Sequence, residues 1–214
     1  VVPSYYAEKM PETMKPVADM LSQRLGIPVE AFIAPSYMGI VEAMAAGHVD
    51  IGFIGALQYV VAHDEFGVEV LLTVVRDGNA TYRAQIVTRS DHPAQTLEDL
   101  RGLTIGFGDI GSTSGYLYPA TMLSMAGIDP ETDIRPMFLK GHDNVILAVL
   151  AGDVDAGATF EGAHTLLLSN EYPDIAERIR IIALSEDIPY DTISVRPGLP
   201  DDLKQAIADA LMDM

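Results

Sequence analysis

AGHVDIG (Ala46–Gly52) and AGDVDAG (Ala151–Gly157) are two copies of one pattern, identical at five of seven positions and offset by 105 residues. An apolar run of helical type precedes each copy, IVEAMAAG and VILAVLAG, and a strand-like run follows. Each copy therefore predicts a helix, a glycine that closes it, and a short buried strand. A common turn recurring by chance would explain the identities but not the matching flanks. The chain accordingly reads as two similar α/β lobes. Carrying the register outward sets Tyr37 opposite His142, each near a helix start, and Ala56 opposite Glu161, each just past the strand. These four are expected to face one cleft, because ligands bind beyond the carboxyl ends of strands in open α/β sheets and clefts between domains favour pockets.

A second stretch, DIGSTSGY (Asp109–Tyr116), carries the chemistry. It follows the strand-like LTIGF and opens an apolar helical run, with Ser112, Thr113 and Ser114 set between glycines. Amides at a helix start lack internal partners and carry the positive end of the dipole, and hydroxyls rotate to donate to the same acceptor. The combination suits an oxyanion. Pro119 fits a first helical turn, where its missing N–H costs little. An ordinary N-cap would account for one serine, but not for three consecutive hydroxyls.

Outside these stretches, helical periodicity runs from Met10 to Leu25 and stops at Gly26, and PVEAFIA (Pro28–Ala34) reads as a strand. A helix over Leu57–Phe66 precedes two strand-like runs, VEVLLTVVR and YRAQIVTR, punctuated by Asp77-Gly78. LTIGFG, the hydroxyl cluster with a helix to Gly127, IRPMFL, the repeated helix and strand, a helix over Ala163–Asn170 and RIRIIAL then build the second lobe. IPYDTISVR returns the chain to the first. The expected lobes are residues 1–84 with 191–214, and residues 85–190. Crossings near Tyr82–Arg89 and Tyr190–Val195 would form a hinge, and the alternation predicts an α/β fold with mixed sheets. Val1-Val2-Pro3 reads as the tail of a strand and DLKQAIADALMDM as a helix, so both ends look cut short.

Composition narrows the function classes. The 214 residues, 49% hydrophobic, can bury one large core or two small ones. No apolar run reaches bilayer-spanning length and no signal-peptide succession is present, as in a soluble, mature or trimmed chain. With 13 Lys and Arg against 31 Asp and Glu, the net charge of −18 argues against nucleic-acid binding and hints weakly at a saline habitat. An anion would have to be attracted locally, by amide dipoles, hydroxyls and a histidine. The absence of cysteine excludes disulfides, thiolate metal sites and a cysteine nucleophile. His48, His63, His92, His142 and His164 show no metal-ligand spacing, and the ten methionines suit core filling.

Two enzymatic or cofactor readings fail on the residues. Gly106 to Gly111 matches GxGxxG after a strand, but the acid that would hold a ribose at the end of the next strand is missing: Asp129, Glu131 and Asp133 lie before IRPMFL, and Lys140-Gly141-His142 follow it. Gly111 to Gly115 is GxTxG, not a nucleophile elbow. A Ser, His142 and Asp143 or Asp191 set can be drawn, yet His142-Asp143 more naturally starts a helix, with Asp143 as dipole partner.

PSYMGIVEAMAAGHVDIGFIG, RDGNATYRAQIVTR, STSGYLYP, KGHDNVILAVLAGDVDAGATFEGA and IPYDTISVR together resemble, in order and spacing, the solute-binding proteins of phosphate, phosphite and phosphonate ABC transporters. The likeness covers essentially the whole chain. It implies a type II periplasmic binding-protein fold, two α/β lobes with mixed sheets joined by a two-crossing hinge. Its cleft would hold a phosphorus oxyanion through Tyr37, Ser112, Thr113, Ser114 and His142, with Tyr82 in the same set. Family members that take aminoalkylphosphonates use acids near Glu161 and Asp191, which would meet a ligand amine or a ligand O–H; this chain keeps both. The resemblance further implies no catalysis, no cofactor, no metal, an ABC transporter permease as partner and a monomer. It implies a periplasmic or extracytoplasmic location, with a lipid anchor left open.

The choice among 2-aminoethylphosphonate, an alkylphosphonate, phosphite and phosphate stays open at this level. So does a sensor ectodomain on the same fold, and an enzyme acting on a phosphorus ester is the competing class. Plainer roles also exist for the acids and tyrosines: Asp191 as a turn cap, Glu161 in solvent at a helix start, Tyr37 and Tyr82 as packing residues. Tyr5-Tyr6, and Gly55-Ala56-Leu57 without the family's frequent proline, depart from the pattern where a ligand's substituent would lie.

Overall fold

The computed structural model describes residues 1–212, and its elements follow the periodicities closely. Along the chain run α1 (Met10–Leu25), α2 (Tyr37–Ala45), β1 (Ile51–Ile54), α3 (Ala56–Phe66), β2 (Glu69–Thr73), β3 (Thr81–Arg89), β4 (Thr104–Phe107) and α4 (Tyr118–Met125). Then come β5 (Arg135–Phe138), α5 (His142–Ala151), β6 (Ala156–Phe160), α6 (Ala163–Leu168), α7 (Ile175–Arg178), β7 (Ile179–Pro189), β8 (Thr192–Val195) and α8 (Asp201–Met212). Asp213 and Met214, the end of the helical run expected at the C-terminus, lie outside the described residues.

Two compact units divide this succession. The first comprises Val1–Ala80 and the chain from Tyr190 onward. Its sheet has the order β1-β8-β2, with β8 antiparallel to both neighbours. Ile40, Val41, Met44 and Ile54 are fully buried there, beside a second cluster that includes Leu21, Val195, Ile207 and Leu211. The second unit, Thr81–Pro189, holds a five-stranded mixed sheet of order β5-β4-β6-β3-β7. There β4 is parallel to β5 and β6, while β3 is antiparallel to β6 and β7. Its core contains Ile86, Leu100, Ile105, Phe107, Leu123 and Ile128.

The repeat is one local structure built twice. Gly47 (φ 75°) and Gly152 (φ 81°) both take the left-handed conformation that ends a helix without a Cβ penalty. His48 N–H donates to the Ala43 carbonyl and Asp153 N–H to the Ala148 carbonyl, the same bond at the same offset. Gly52 and Gly157 then let each helix lie directly on its strand. A methyl group at Gly52 would sit 2.4 Å from Met44 Sδ, and one at Gly157 would sit 2.7 Å from both Val145 Cγ1 and Val149 Cγ2. Tyr37 and His142, matched by the register, are each the first residue of their helix.

Two sequence expectations shift. Pro28–Ala34 is extended but is not a strand: Val1 N donates to Phe32 O (2.7 Å) and Ala34 N to Val1 O (3.0 Å), a single parallel rung with no neighbour. Val29 N–H is drawn off to Ser22 Oγ instead (2.8 Å), and Pro3 has no N–H to continue the ladder. Secondly, the chain passes between units at Ala80–Thr81 and Pro189–Tyr190, so β3 lies whole in the second unit instead of carrying a crossing. The pairing of β3 with β7 from Thr81 to Arg89 holds it there. The punctuation at Asp77-Gly78 is a tight hairpin turn, both residues at positive φ, closed by Arg76 and Asn79.

Gly157→Ala is expected to destabilise the fold by about 1–3 kcal/mol, since the added carbon meets branched side chains anchored in a helix. Urea denaturation measures it, and an unchanged midpoint would contradict the close-approach role.

Candidate functional site

The hydroxyl cluster begins where β4 ends. Gly108 N–H donates to Gly115 O (3.0 Å), folding the loop back on itself, and Asp109 shapes the turn by accepting from Gly111 N (2.8 Å) and Ser112 N (2.8 Å). The chain then enters a π-helical turn over Thr113–Leu117, not the regular helix start expected from the pattern, and α4 follows with Pro119 in its first turn. Tyr116 and Leu117 N–H both donate to Ser112 O at 3.1 Å, which widens the turn by one residue. Ser112 fills the N-cap role, its Oγ accepting from Gly115 N (3.0 Å), so one lone pair is committed while its O–H remains to donate. Ser112, Thr113 and Ser114 are all buried. Among the described residues no hydrogen-bond partner engages the Ser114 hydroxyl.

His142 reaches the same place from the other side. The loop before it makes a γ-turn, Gly141 N–H to Leu139 O (3.0 Å), with Lys140 at φ 70°, a strained conformation for a residue with a side chain. Asp143 sits in the first turn of α5, favourable to the helix dipole. The imidazole is 4% exposed, packs edge-on against Phe160 at 5.0 Å, and shares a 2.9 Å hydrogen bond between Nδ1 and Thr159 Oγ1. A methyl group on Gly115 would lie 3.2 Å from His142 Cε1 and 2.9 Å from Ser112 Oγ. Glycine at 115 is therefore what lets the ring and the hydroxyl loop meet. Burial pushes the His142 pKa down to about 4, so the ring is neutral at physiological pH.

Acids and tyrosines divide differently. Glu161, just past β6, is held by Arg83 in a two-pronged ion pair, Nη2–Oε1 2.7 Å and Nε–Oε2 3.0 Å, with both side chains partly exposed. Tyr82 is half-buried on β3 opposite Ile188. In the first unit, Tyr37 is 5% exposed at the start of α2, where Ser36 Oγ caps Gly39 N (3.0 Å). Asp191 lies by the start of α3: its Oδ1 would be 3.5 Å from a methyl group on Gly55. Burial raises the Asp191 carboxyl above its ordinary value, opposed by the nearby Arg76 charge. The second unit thus gathers Ser112, Ser114 and His142 around Gly115, while Tyr37 and Asp191 belong to the first.

Thr159, Gln85 and His164 were not singled out by the sequence. Gln85 faces Thr159 across β3 and β6, accepts from Gly162 N (3.2 Å) and lies 3.4 Å from His164 Nδ1; all three side chains are buried. Only the strand register aligns them. Among the described residues, no group of three or more His, Asp or Glu is arranged to hold a metal, and no helix is long and apolar enough to cross a membrane. A cavity of about 640 Å³ in the first unit is lined mainly by aliphatic side chains such as Leu21, Leu25 and Ile207, and by none of the candidate residues. The cation on its wall, Arg196, is paired with Asp50 at 2.7 Å.

Compared with known proteins, residues 1–214 match the family described as "ABC transporter, phosphonate, periplasmic substrate-binding protein". The phosphonates-binding periplasmic protein of Escherichia coli K12 is 32% identical over 203 residues, covering 92% of this chain and 60% of the relative. The phosphate-import protein PhnD of Mycolicibacterium smegmatis is 36% identical over 171 residues, covering 75% of this chain and 53% of the relative. This chain therefore spans less than two thirds of either. A crystal structure of a binding-protein component of a Pseudomonas aeruginosa ABC phosphonate transporter superposes with a TM-score of 0.82 at 29% identity, over 95% of this chain and 69% of that one. The fold is that of type II periplasmic binding proteins.

The depressed His142 value makes stability depend on pH. The unfolded chain takes up this proton near its ordinary 6.5, the folded chain only near 4, so the stabilisation is whole above pH 6.5 and is lost as pH falls toward 4. The loss is on the order of 3 kcal/mol. Urea midpoints for His142→Asn are expected to fall less steeply than those of the parent between pH 6.5 and 5; parallel slopes would contradict a buried neutral ring. His164, also depressed by burial, tilts both proteins equally.

Proposed function

The chain belongs to the family of periplasmic substrate-binding proteins of phosphonate ABC transporters, and from that premise we propose that it binds a phosphonate without transforming it and delivers it to a transporter permease outside the cytoplasm. The observation that carries this reading is the meeting of the Ser112–Gly115 loop with the His142 ring at Gly115. The ligand's phosphorus oxyanion occupies that seat. Its oxygens accept from the hydroxyls of Ser112, Thr113 and Ser114, from neighbouring amides and from His142. All these donors are neutral. They satisfy an anion by short, directed hydrogen bonds in a protein whose net charge of −18 repels it at long range.

Tyr37, Tyr82 and Asp191 complete the proposed contact set. Asp191, the acid that carries no ion pair as tight as the one Arg83 makes to Glu161, is the better partner for a ligand ammonium or O–H. A carboxyl raised by burial gains most from a cation placed beside it. Glu161, already neutralised by Arg83, shapes the rim. The chain acts as a monomer in this reading.

Calorimetric titration of ligand-stripped protein with 2-aminoethylphosphonate, methylphosphonate, phosphite, phosphate and sulfate tests it. One phosphonate is expected to bind per chain with no release of inorganic phosphate on prolonged incubation. Binding of none of the phosphorus oxyanions, or turnover, would contradict the reading. Ser114→Ala is expected to weaken methylphosphonate binding by about 10–100-fold, the loss of one hydrogen bond to a charged group. Asp191→Asn is expected to weaken 2-aminoethylphosphonate about tenfold more than methylphosphonate, with Glu161→Gln discriminating far less. Equal losses for both ligands would remove Asp191 from the amine site.

A further inference from the structure

A neutral imidazole offers an anion a donor only through the nitrogen that carries the proton. Offered the other nitrogen, an oxyanion meets a lone pair and is repelled. Which nitrogen is protonated is decided by the group that holds the opposite one. Here that group is Thr159, whose Oγ1 lies 2.9 Å from His142 Nδ1.

Thr159 is fully buried, and among the described residues His142 is the partner of its hydroxyl. Gln85, directly opposite on β3, has its oxygen on Gly162 N and its amide nitrogen toward His164. If Nδ1–H donated to Thr159, the threonine's own O–H would be sealed in the core with no acceptor, which costs more than an unused lone pair. If Thr159 donates to Nδ1, its sealed O–H is satisfied and the ring proton is driven to Nε2, the nitrogen that Thr159 does not hold. The surroundings enforce the arrangement. Gly157 brings α5 onto the β6 face that carries Thr159, and Phe160 packs against the ring edge.

We propose that Thr159 is a positioning residue for ligand binding: its hydroxyl fixes His142 as the Nε2–H tautomer and turns a neutral ring into a donor aimed at the oxyanion. This rests on the reading of the Ser112–His142 seat as the oxyanion site, but the tautomer itself does not depend on any ligand. The pair also selects against ligands that must donate at that point, because no lone pair is presented there.

The test uses two readouts on the intact chain. Long-range proton–nitrogen NMR on ¹⁵N-histidine protein without ligand, with His142 assigned by its loss in His142→Asn, reports which ring nitrogen is protonated. The parent and Thr159→Ser are expected to show Nε2–H, and Thr159→Val to move toward Nδ1–H or a mixture. Methylphosphonate titration is expected to show about a tenfold loss in Thr159→Val and near-complete rescue in Thr159→Ser. A parent protein protonated at Nδ1, or a Thr159→Val protein that stays fully Nε2–H, overturns the proposal. If Thr159→Val fails to fold, the parent tautomer and the serine variant still decide it. Failure of every oxyanion to bind would instead overturn the site reading, leaving the NMR result to stand by itself.

Discussion

The absence of a side chain at Gly157 is the constraint on which the second unit's site depends. With no Cβ there, Val145 and Val149 drop onto β6, α5 lies flat against the strand, and its first residue is carried to the strand's carboxyl end. His142 stands at that end, over Thr159 and against Gly115. Gly52 does the same for α2 on β1, with Met44 filling the space and Tyr37 at the helix start. One local device, a helix closed by a left-handed glycine and seated on a glycine-bearing strand, therefore places the leading residue of a helix in each unit. The geometry of the pair follows from hard contacts and needs no special interaction to maintain it.

On the proposed reading, an acidic protein gathers an anion at this point by giving up charge complementarity. Arg83, a nearby cation, is engaged by Glu161. The donors that remain are hydroxyls, amides and an imidazole held neutral by burial. Such donors lose little on desolvation compared with a buried ammonium or guanidinium, and they gain strength in a site where water is excluded. Strain is tolerated locally to set them: a γ-turn through Lys140 on one side, a π-turn after Ser112 on the other.

What could be read in the sequence was whatever depends on local spacing. The repeat, its capping glycines, the hydroxyl run and the position of His142 at a helix start are all properties of neighbours in the chain. What could not be read depends on strand register. Arg83 meets Glu161 because β3 and β6 pair with Ala84 opposite Phe160 and Glu161 N bonds to Arg83 O, while Thr159 meets His142 only because Gly157 seats α5 on β6. Nothing in the spacing of those residues announces that pairing. Pro28–Ala34 misled for a related reason: its composition is that of a strand, but a strand needs a ladder, and here a single rung forms. The π-turn was invisible because one extra residue per turn leaves no periodic signature over five residues.

Amide shift mapping during titration with methylphosphonate locates the oxyanion, proposed to sit at the Ser112–Gly115 loop and His142. The largest saturable changes are expected on the amides of Thr113, Ser114, His142 and Asp143. Saturable binding whose changes centre elsewhere, such as the aliphatic cavity around Leu21 and Ile207, would contradict that placement.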